Sequence, residues 1–300
     1  MAEATSLWAV VALPPVLVVA AATVAAVDAR PGTGGVAGTG REVLRLLVQQ
    51  RRSTNASDRL LLRGGVILLP MAALLAAAVV PFGFTSVSDL PDGVVWFNAM
   101  EALAWAAVWL TGWGPNSALS MIGGYRFLAQ GLAYEIPHML ALTTAALGAE
   151  SLRVGAIVDA QAGLWFALWM PVSFVVYLAS ALAMAFWGPF DQPVGSDAAG
   201  GAGVELSGVD RVLFLGGRRL LLTVAAAVSV PLFLGGGHGP LLPGWAWTLV
   251  KTAAVVALLL WVRRRLPVLR MERWTAVSWM VLTPLAIAQA LLVALVVLGR

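Results

Sequence analysis

Eight apolar stretches divide this chain, and nearly all of its basic residues fall in every second gap between them. The stretches lie near residues 6–27, 66–82, 94–111, 132–149, 162–187, 219–235, 245–262 and 275–298. A helix crosses the hydrocarbon of a bilayer with roughly 20 apolar residues, and several of these stretches are short by that measure. Of the 19 Lys and Arg, 16 fall in residues 28–65, 112–131, 188–218 (with Arg219 at its edge) and 263–274. Alternate gaps share one membrane face, and an excess of Lys and Arg marks that face as cytoplasmic. The pattern predicts an all-α, polytopic integral membrane protein with about eight transmembrane helices. It is one membrane domain over residues 1–300, with both termini extracytoplasmic. The expected location is the inner (plasma) membrane.

Composition agrees with lipid as the solvent. The chain is 60% hydrophobic and 11% charged, where soluble domains carry about 25% charged residues. The arginines sit in short segments between spans. Topology and contact with an acidic partner or lipid explain them better than nucleic acid does. With no cysteine the chain offers no Fe–S or thiolate-metal site, and its two histidines, His138 and His238, are too few for a haem or zinc site unaided. The first stretch is too long for a signal-peptide core and has no basic leader, so it reads as a retained span. The run from Gly32 to Gly40 has no preceding strand and no Lys-Ser/Thr after it, and reads as a linker. Arg41 to Arg52 alternates apolar and basic residues at helical spacing, predicting a short helix on the membrane surface. No internal repeat is evident.

Three ionisable side chains fall inside the apolar stretches: Glu101, Glu135 and Lys251. Each would cost at least about 2.5–3.5 kcal/mol at the bilayer centre, which marks it as a functional candidate. Glu135 precedes Pro137, which removes a backbone donor and frees an upstream carbonyl. Tyr134 and His138 are candidate partners for its carboxyl. For Glu135 the residues leave open a proton carrier or a carboxylate snorkelling to water. Lys251 could snorkel outward or face the bundle and pair with a carboxylate. Glu101 could serve a relay or a structural pair, and the sequence suggests no partner for it. The segment 188–218 opens with Gly188-Pro189-Phe190-Asp191-Gln192-Pro193, a stiff non-helical turn, and also carries Asp197, Glu205 and Asp210.

Together these pieces resemble the membrane subunit of respiratory complex I that roofs the quinone chamber (the H subunit, also called subunit 1). They also resemble the equivalent subunit of group 4 membrane-bound hydrogenases. Four segments carry the resemblance, which covers most of the chain from about residue 40. The first holds Gly112-Trp113-Gly114-Pro115-Asn116-Ser117, Gly123-Gly124-Tyr125-Arg126 through Gln130, and Tyr134-Glu135-Ile136-Pro137. The second is Pro189 to Pro193 with Glu205-Leu206-Ser207-Gly208. The third is Leu249-Val250-Lys251-Thr252, and the fourth Trp261 to Pro267 with Arg270 and Trp279.

The resemblance implies a non-catalytic membrane subunit of a multisubunit oxidoreductase and ion translocase. It would link redox chemistry in a docked cytoplasmic arm to proton translocation. Glu135 would carry protons, with Lys251 and Glu101 as relay or pairing partners and Asp191 and Glu205 at the chamber loop. Arg126, Gln130, Tyr134, Phe190, Asp197 and Arg263 would line the quinone chamber or dock the arm. A quinone tail would lie between spans one and six. The chain would hold no covalent cofactor and no metal. Fe–S, flavin or Ni–Fe centres would belong to partners: large-subunit-like and Fe–S subunits of the arm, beside antiporter-like membrane subunits. The loop after Pro193 keeps Asp197 where the family has several glutamates, and Met184, Phe186 and Trp187 replace an acidic and Asn-Arg stretch, so the acidic entry is thinned. The alternative is the anchor of a group 4 [NiFe] hydrogenase or formate hydrogenlyase-type complex. A stand-alone ion transporter and an anchor with a decayed ion path are further readings.

Overall fold

The computed structural model describes residues 7–29, 35–195 and 200–299, and these are helical and connecting segments with a lone β-bridge between Phe82 and Thr85. Helix α1 spans Leu7–Asp28, α2 Gly35–Val48, α3 Arg59–Ala77, α4 Gly93–Trp113 and α5 Ala118–Ala149. Two short helices, α6 (Val154–Ala160) and α7 (Phe166–Trp169), lead to α8 (Pro171–Met184). Then come α9 (Gly208–Phe233), α10 (Gly244–Arg265), α11 (Met271–Val277) and α12 (Thr283–Leu298).

Six helices are long and apolar enough to cross a membrane: α1, α3, α4, α9, α10 and the joined α11–α12. Bent by 61° into α6, α5 makes a seventh. The protein is an all-α polytopic membrane protein. The span expected over 162–187 is the short one. Pro171 cannot donate a backbone hydrogen bond and biases Met170 away from helical geometry, so α7 stops and α8 restarts with Pro171 in its first turn.

Helices run further toward the arginine-bearing end than hydropathy suggests. Residues 118–131, expected as loop, are the first turns of α5, and residues 208–218 the first turns of α9. At 32 residues, α5 is about 48 Å long, well beyond the ~30 Å of hydrocarbon. Backbone hydrogen bonding continues past the point where side chains turn polar, because long basic side chains reach water from inside a helix. The surface helix expected at 41–52 is α2, shifted toward its N-terminus so that it includes Gly35 to Gly40, where the glycine content suggests a linker. Gly32 to Gly34 lie outside the described residues.

Local chemistry sets several ends. Asp58 caps α3, its carboxylate accepting from the N–H groups of Leu60 (2.9 Å) and Leu61 (3.0 Å). Pro137 inside α5 leaves the Ala133 carbonyl without its intrahelical donor, and the Ser278 hydroxyl of the neighbouring helix donates to it. Ser278 opens a π-helical turn, Ser278–Leu282, where the Thr283 N–H reaches back to the Ser278 carbonyl. Pro284 just beyond cannot continue the ordinary ladder.

Buried most fully among the long helices, α9 packs against α1, α3, α8 and α10. Helices α3 and α4 approach closely, and a Cβ on Gly65 would stand 2.6 Å from the Ala107 carbonyl oxygen. Val18, Val19, Leu291, Leu292 and Leu295 are exposed on the outside of α1 and α12, the surface lipid would cover.

Candidate functional site: a buried polar stripe and an inward-folded loop

Arg126, Gln130, Tyr134 and His138 recur every fourth residue along α5, so they lie on one face. The stripe rises about 18 Å, more than half the hydrocarbon thickness. Each residue on it is held by a different element. Arg126 reaches the carbonyl oxygens of Gln192 and Gly200, each at 3.3 Å. The Gln130 amide donates to the Ala183 carbonyl of α8 at 2.7 Å. The Trp105 indole N–H of α4 donates to the Tyr134 hydroxyl at 2.8 Å. His138 Nε2 lies 2.9 Å from Glu101 Oε2, with both side chains fully buried.

Two further groups flank the deep end of the stripe. Asn98, one turn before Glu101 on α4, donates its amide to Glu135 at 3.2 Å. Tyr177 of α8 lies beside the His138 ring, centroids 5.3 Å apart. Glu135 is half-buried, whereas Glu101 is sealed. Both carboxylate oxygens of Glu101 and both ring nitrogens of His138 lack a well-aligned protein hydrogen bond. Buried polar atoms are normally hydrogen-bonded, so these four mark the cluster as a candidate site. The partners differ from those expected. Tyr134 and His138 turn to Trp105 and Glu101, while Asn98 takes Glu135, because residues 134 and 138 share a face that residue 135 leaves by about 100°.

At the Arg126 end of the stripe the segment after α8 folds inward. Every residue from Ala181 to Phe190 is buried. Gly188 adopts a positive φ of 67°, and a Cβ there would meet the Arg263 Cβ at 3.2 Å. Phe190 packs on Trp274, ring centroids 4.4 Å apart. The Asp191 carbonyl accepts from the Val194 and Gly195 N–H groups, closing a turn. Gly123 lets α5 touch the returning loop: a Cβ there would lie 1.9 Å from the Ala202 nitrogen. The Ser117 hydroxyl donates to Glu205 at 2.7 Å. Arg218 donates to the Ala185 and Phe186 carbonyls and stacks over Trp187. Arg263 pairs with Asp28 of α1 and also covers Trp187. Asp197 lies outside the described residues.

Lys251 stands apart from both groups. Its ammonium donates to three backbone carbonyls in the α9–α10 connection: Leu234 (2.7 Å), Gly236 (3.0 Å) and His238 (2.6 Å). Trp165 lies 4.3 Å away on a ring face. No carboxylate faces it among the described residues.

A family model described as NADH dehydrogenase matches residues 4–294. The chain belongs to the NADH dehydrogenase family. Among similar proteins is the NADH-quinone oxidoreductase H subunit, form 1, of Geobacter metallireducens, 33% identical over 270 residues, covering 86% of this chain and 82% of that protein. The H subunit, form 2, of Geobacter sulfurreducens is 34% identical over 262 residues, covering 84% and 80%. The H subunit, form 2, of Cereibacter sphaeroides is 37% identical over 262 residues, covering 86% and 82%.

For this member of the family, Glu135, Glu101 and Tyr134 gather in one cluster. Arg126, Gln130, Phe190, Asp191, Glu205 and Arg263 gather around the loop. Sequence reasoning sets His138 beside the wrong carboxylate and gives no role to Asn98, Arg218 or Ser278. The four-residue spacing from Arg126 to His138 is a usable signal for His138. For Asn98 the signal is its place one turn from Glu101.

A cavity of about 240 Å³ opens between the end of α1, α2 and the start of α9. Asp28, Glu42 and Arg219 give it polar groups, and Ala25, Val43, Leu46 and Leu215 an apolar wall. Arg219 Nε is buried there without a protein partner. On α2, the Arg45 side chain hydrogen-bonds Glu42 and holds its carboxyl below the usual carboxylate range.

Proposed function

We propose that this chain is the H-type membrane subunit of an NADH-quinone oxidoreductase of the complex I type, lining the quinone chamber and passing protons inward from it. The observation that carries the reading is the polar stripe on α5. It begins at the chamber loop and ends on buried acid–base chemistry at bilayer depth, where an isolated charge would be strongly disfavoured. The names of the relatives support the oxidoreductase assignment over the hydrogenase one.

In this reading the chain crosses the membrane eight times, α5 and the short α8 included, and both termini are extracytoplasmic. The cavity between α1, α2 and α9 is where a quinone enters. Its apolar wall suits an isoprenoid tail, and the unpartnered Arg219 Nε–H suits a carbonyl oxygen of the headgroup. Trp187 and Trp274 each carry a buried indole N–H without a protein partner beside the chamber loop. The electron-carrying centres are assigned to partner subunits of a cytoplasmic arm, docked on the arginine-bearing end. Glu135, half-buried and held by Asn98, is the proton carrier.

Glu135→Gln keeps the Asn98 contact but cannot carry a proton. In the intact complex reconstituted in vesicles, it is expected to lower proton translocation per electron pair at least tenfold while leaving assembly intact. Unchanged coupling would overturn the carrier role. Purification in mild detergent is expected to bring down Fe–S subunits and a large subunit without nickel-binding Cys motifs. Recovery of a nickel-binding large subunit would replace this assignment by the hydrogenase one.

A further inference from the structure

Glu101 and His138 are the most deeply buried acid–base couple among the described residues, enclosed by three helices. Glu101 projects from α4 and His138 from α5. Phe97, one turn before Glu101, lies against the imidazole with centroids 6.1 Å apart. Tyr177 closes the other side from α8, and Tyr134 stands edge-on at 6.2 Å. The titratable groups around the couple are therefore Tyr134 and Glu135 on α5 and Tyr177 on α8.

We propose that Glu101 and His138 together form a one-proton storage site, with a proton shared between Oε2 and Nε2. The inference rests on the proton-carrier reading of the neighbouring Glu135 and assigns the site that supplies or receives its proton. Three observations support it. The facing atoms are 2.9 Å apart, so a small rotation of either side chain aligns them for a hydrogen bond. No arginine or lysine is near enough to neutralise the carboxylate among the ion pairs of the described residues. Glu101 Oε1 and His138 Nδ1 are likewise buried without an aligned protein hydrogen bond, and among the described residues the Tyr134 hydroxyl is the one protein donor beside the carboxyl, so the imidazole end of the couple is open.

The charge balance explains why one proton is held. With no proton the couple is an uncompensated anion, and with two it is an uncompensated cation, both strongly disfavoured in a dry interior. With one proton the couple is neutral overall, whether the proton rests on the carboxyl or on the imidazole. Moving it between Oε2 and Nε2 breaks one O–H bond, forms one N–H bond and changes no oxidation state. Glu135 lies one turn before His138 on the same helix, about 5–6 Å away between Cβ atoms. Its charge therefore biases where the shared proton sits, and Nδ1 offers a second point of exchange.

The chain has only two histidines, which makes the test direct. The full chain, ¹⁵N-labelled at histidine and placed in lipid bilayers, gives two imidazole signal sets, and His238→Gln leaves that of His138. A shared proton is expected to place the His138 Nε2 shift between the neutral and charged limits, and Glu101→Gln to move it to the neutral limit. A free neutral imidazole spectrum, identical in the two proteins, would overturn the proposal. Glu101→Leu with His138→Leu removes the couple without stranding a charge, which guards against a variant that fails to fold. In the reconstituted complex this double variant is expected to lower proton translocation per electron pair severalfold. Full translocation by the double variant would equally refute storage. The two readings fail separately: normal coupling in Glu135→Gln with an Nε2 shift sensitive to Glu101 leaves the couple standing and removes the carrier.

Discussion

Ser278 shows how a single hydroxyl is placed by a backbone defect on another helix. Pro137 takes away the N–H that would have bonded the Ala133 carbonyl, and Ser278 supplies a donor from the π turn before α12. Ser278→Ala leaves that carbonyl buried without a partner and is expected to cost about 1 kcal/mol. Pro137→Ala restores the intrahelical donor, so Ser278→Ala on that background is expected to cost measurably less. Thermal unfolding of the four proteins in one detergent reads the difference, and strict additivity would refute the coupling. The same logic explains Lys251. Sequence leaves it to snorkel outward or to pair with a carboxylate, yet three carbonyls at and beyond the end of α9 satisfy it instead. Backbone acceptors carry no signature in the sequence, which is why this partner set is not legible there.

At the level of helices, the existence and order of the long apolar elements follow from hydropathy, and their ends do not. Helix α5 continues for more than three turns into a stretch that hydropathy assigns to a loop, because polar side chains do not break backbone hydrogen bonding. That extension carries Arg126 and Gln130 on the same face as Tyr134 and His138, and so creates the stripe. The α3–α4 seam depends on Gly65, where backbone meets backbone. Gly65→Val is expected to push α3 from α4 and destabilise the protein by about 2–3 kcal/mol through overpacking. By contrast Gly64→Ala, where a Cβ meets nothing within 4 Å, is expected to be neutral or slightly stabilising. Equal losses for the two variants, measured as retained helical circular dichroism on heating, would argue against close packing at this seam.

Across the whole molecule, one clasp decides how the first helix sits. Arg263 and Arg264 at the end of α10 bind Asp28 and the Val27 carbonyl at the end of α1, next to the cavity walled by α2 and α9. Arg263→Gln is expected to free that end of α1, seen as faster hydrogen exchange over residues 24–28, and to change the apparent KM for quinone more than kcat. Sidedness is tested at the same scale. The chain has no cysteine, so single cysteines placed at Asp89 and at Arg211 report without background. An impermeant thiol reagent is expected to reach Asp89→Cys from outside intact cells and Arg211→Cys only after permeabilisation. Labelling of both from outside would invalidate the eight-crossing topology.

Sequence by itself determined that this chain is a bundle of membrane helices with one arginine-rich end, because lipid admits only runs of apolar residues whose backbone bonds are satisfied internally. It also determined the family, through motifs whose order survives divergence, and it singled out Glu101, Glu135 and Lys251 by the cost of burying charge. Tertiary structure alone decided which of these meet. Glu101 faces His138, Glu135 faces Asn98 and Lys251 faces carbonyls. Those choices depend on the rotation and offset of α4, α5, α8 and α10 against one another, set by close backbone contacts and proline breaks distant in the chain, and no local pattern encodes them.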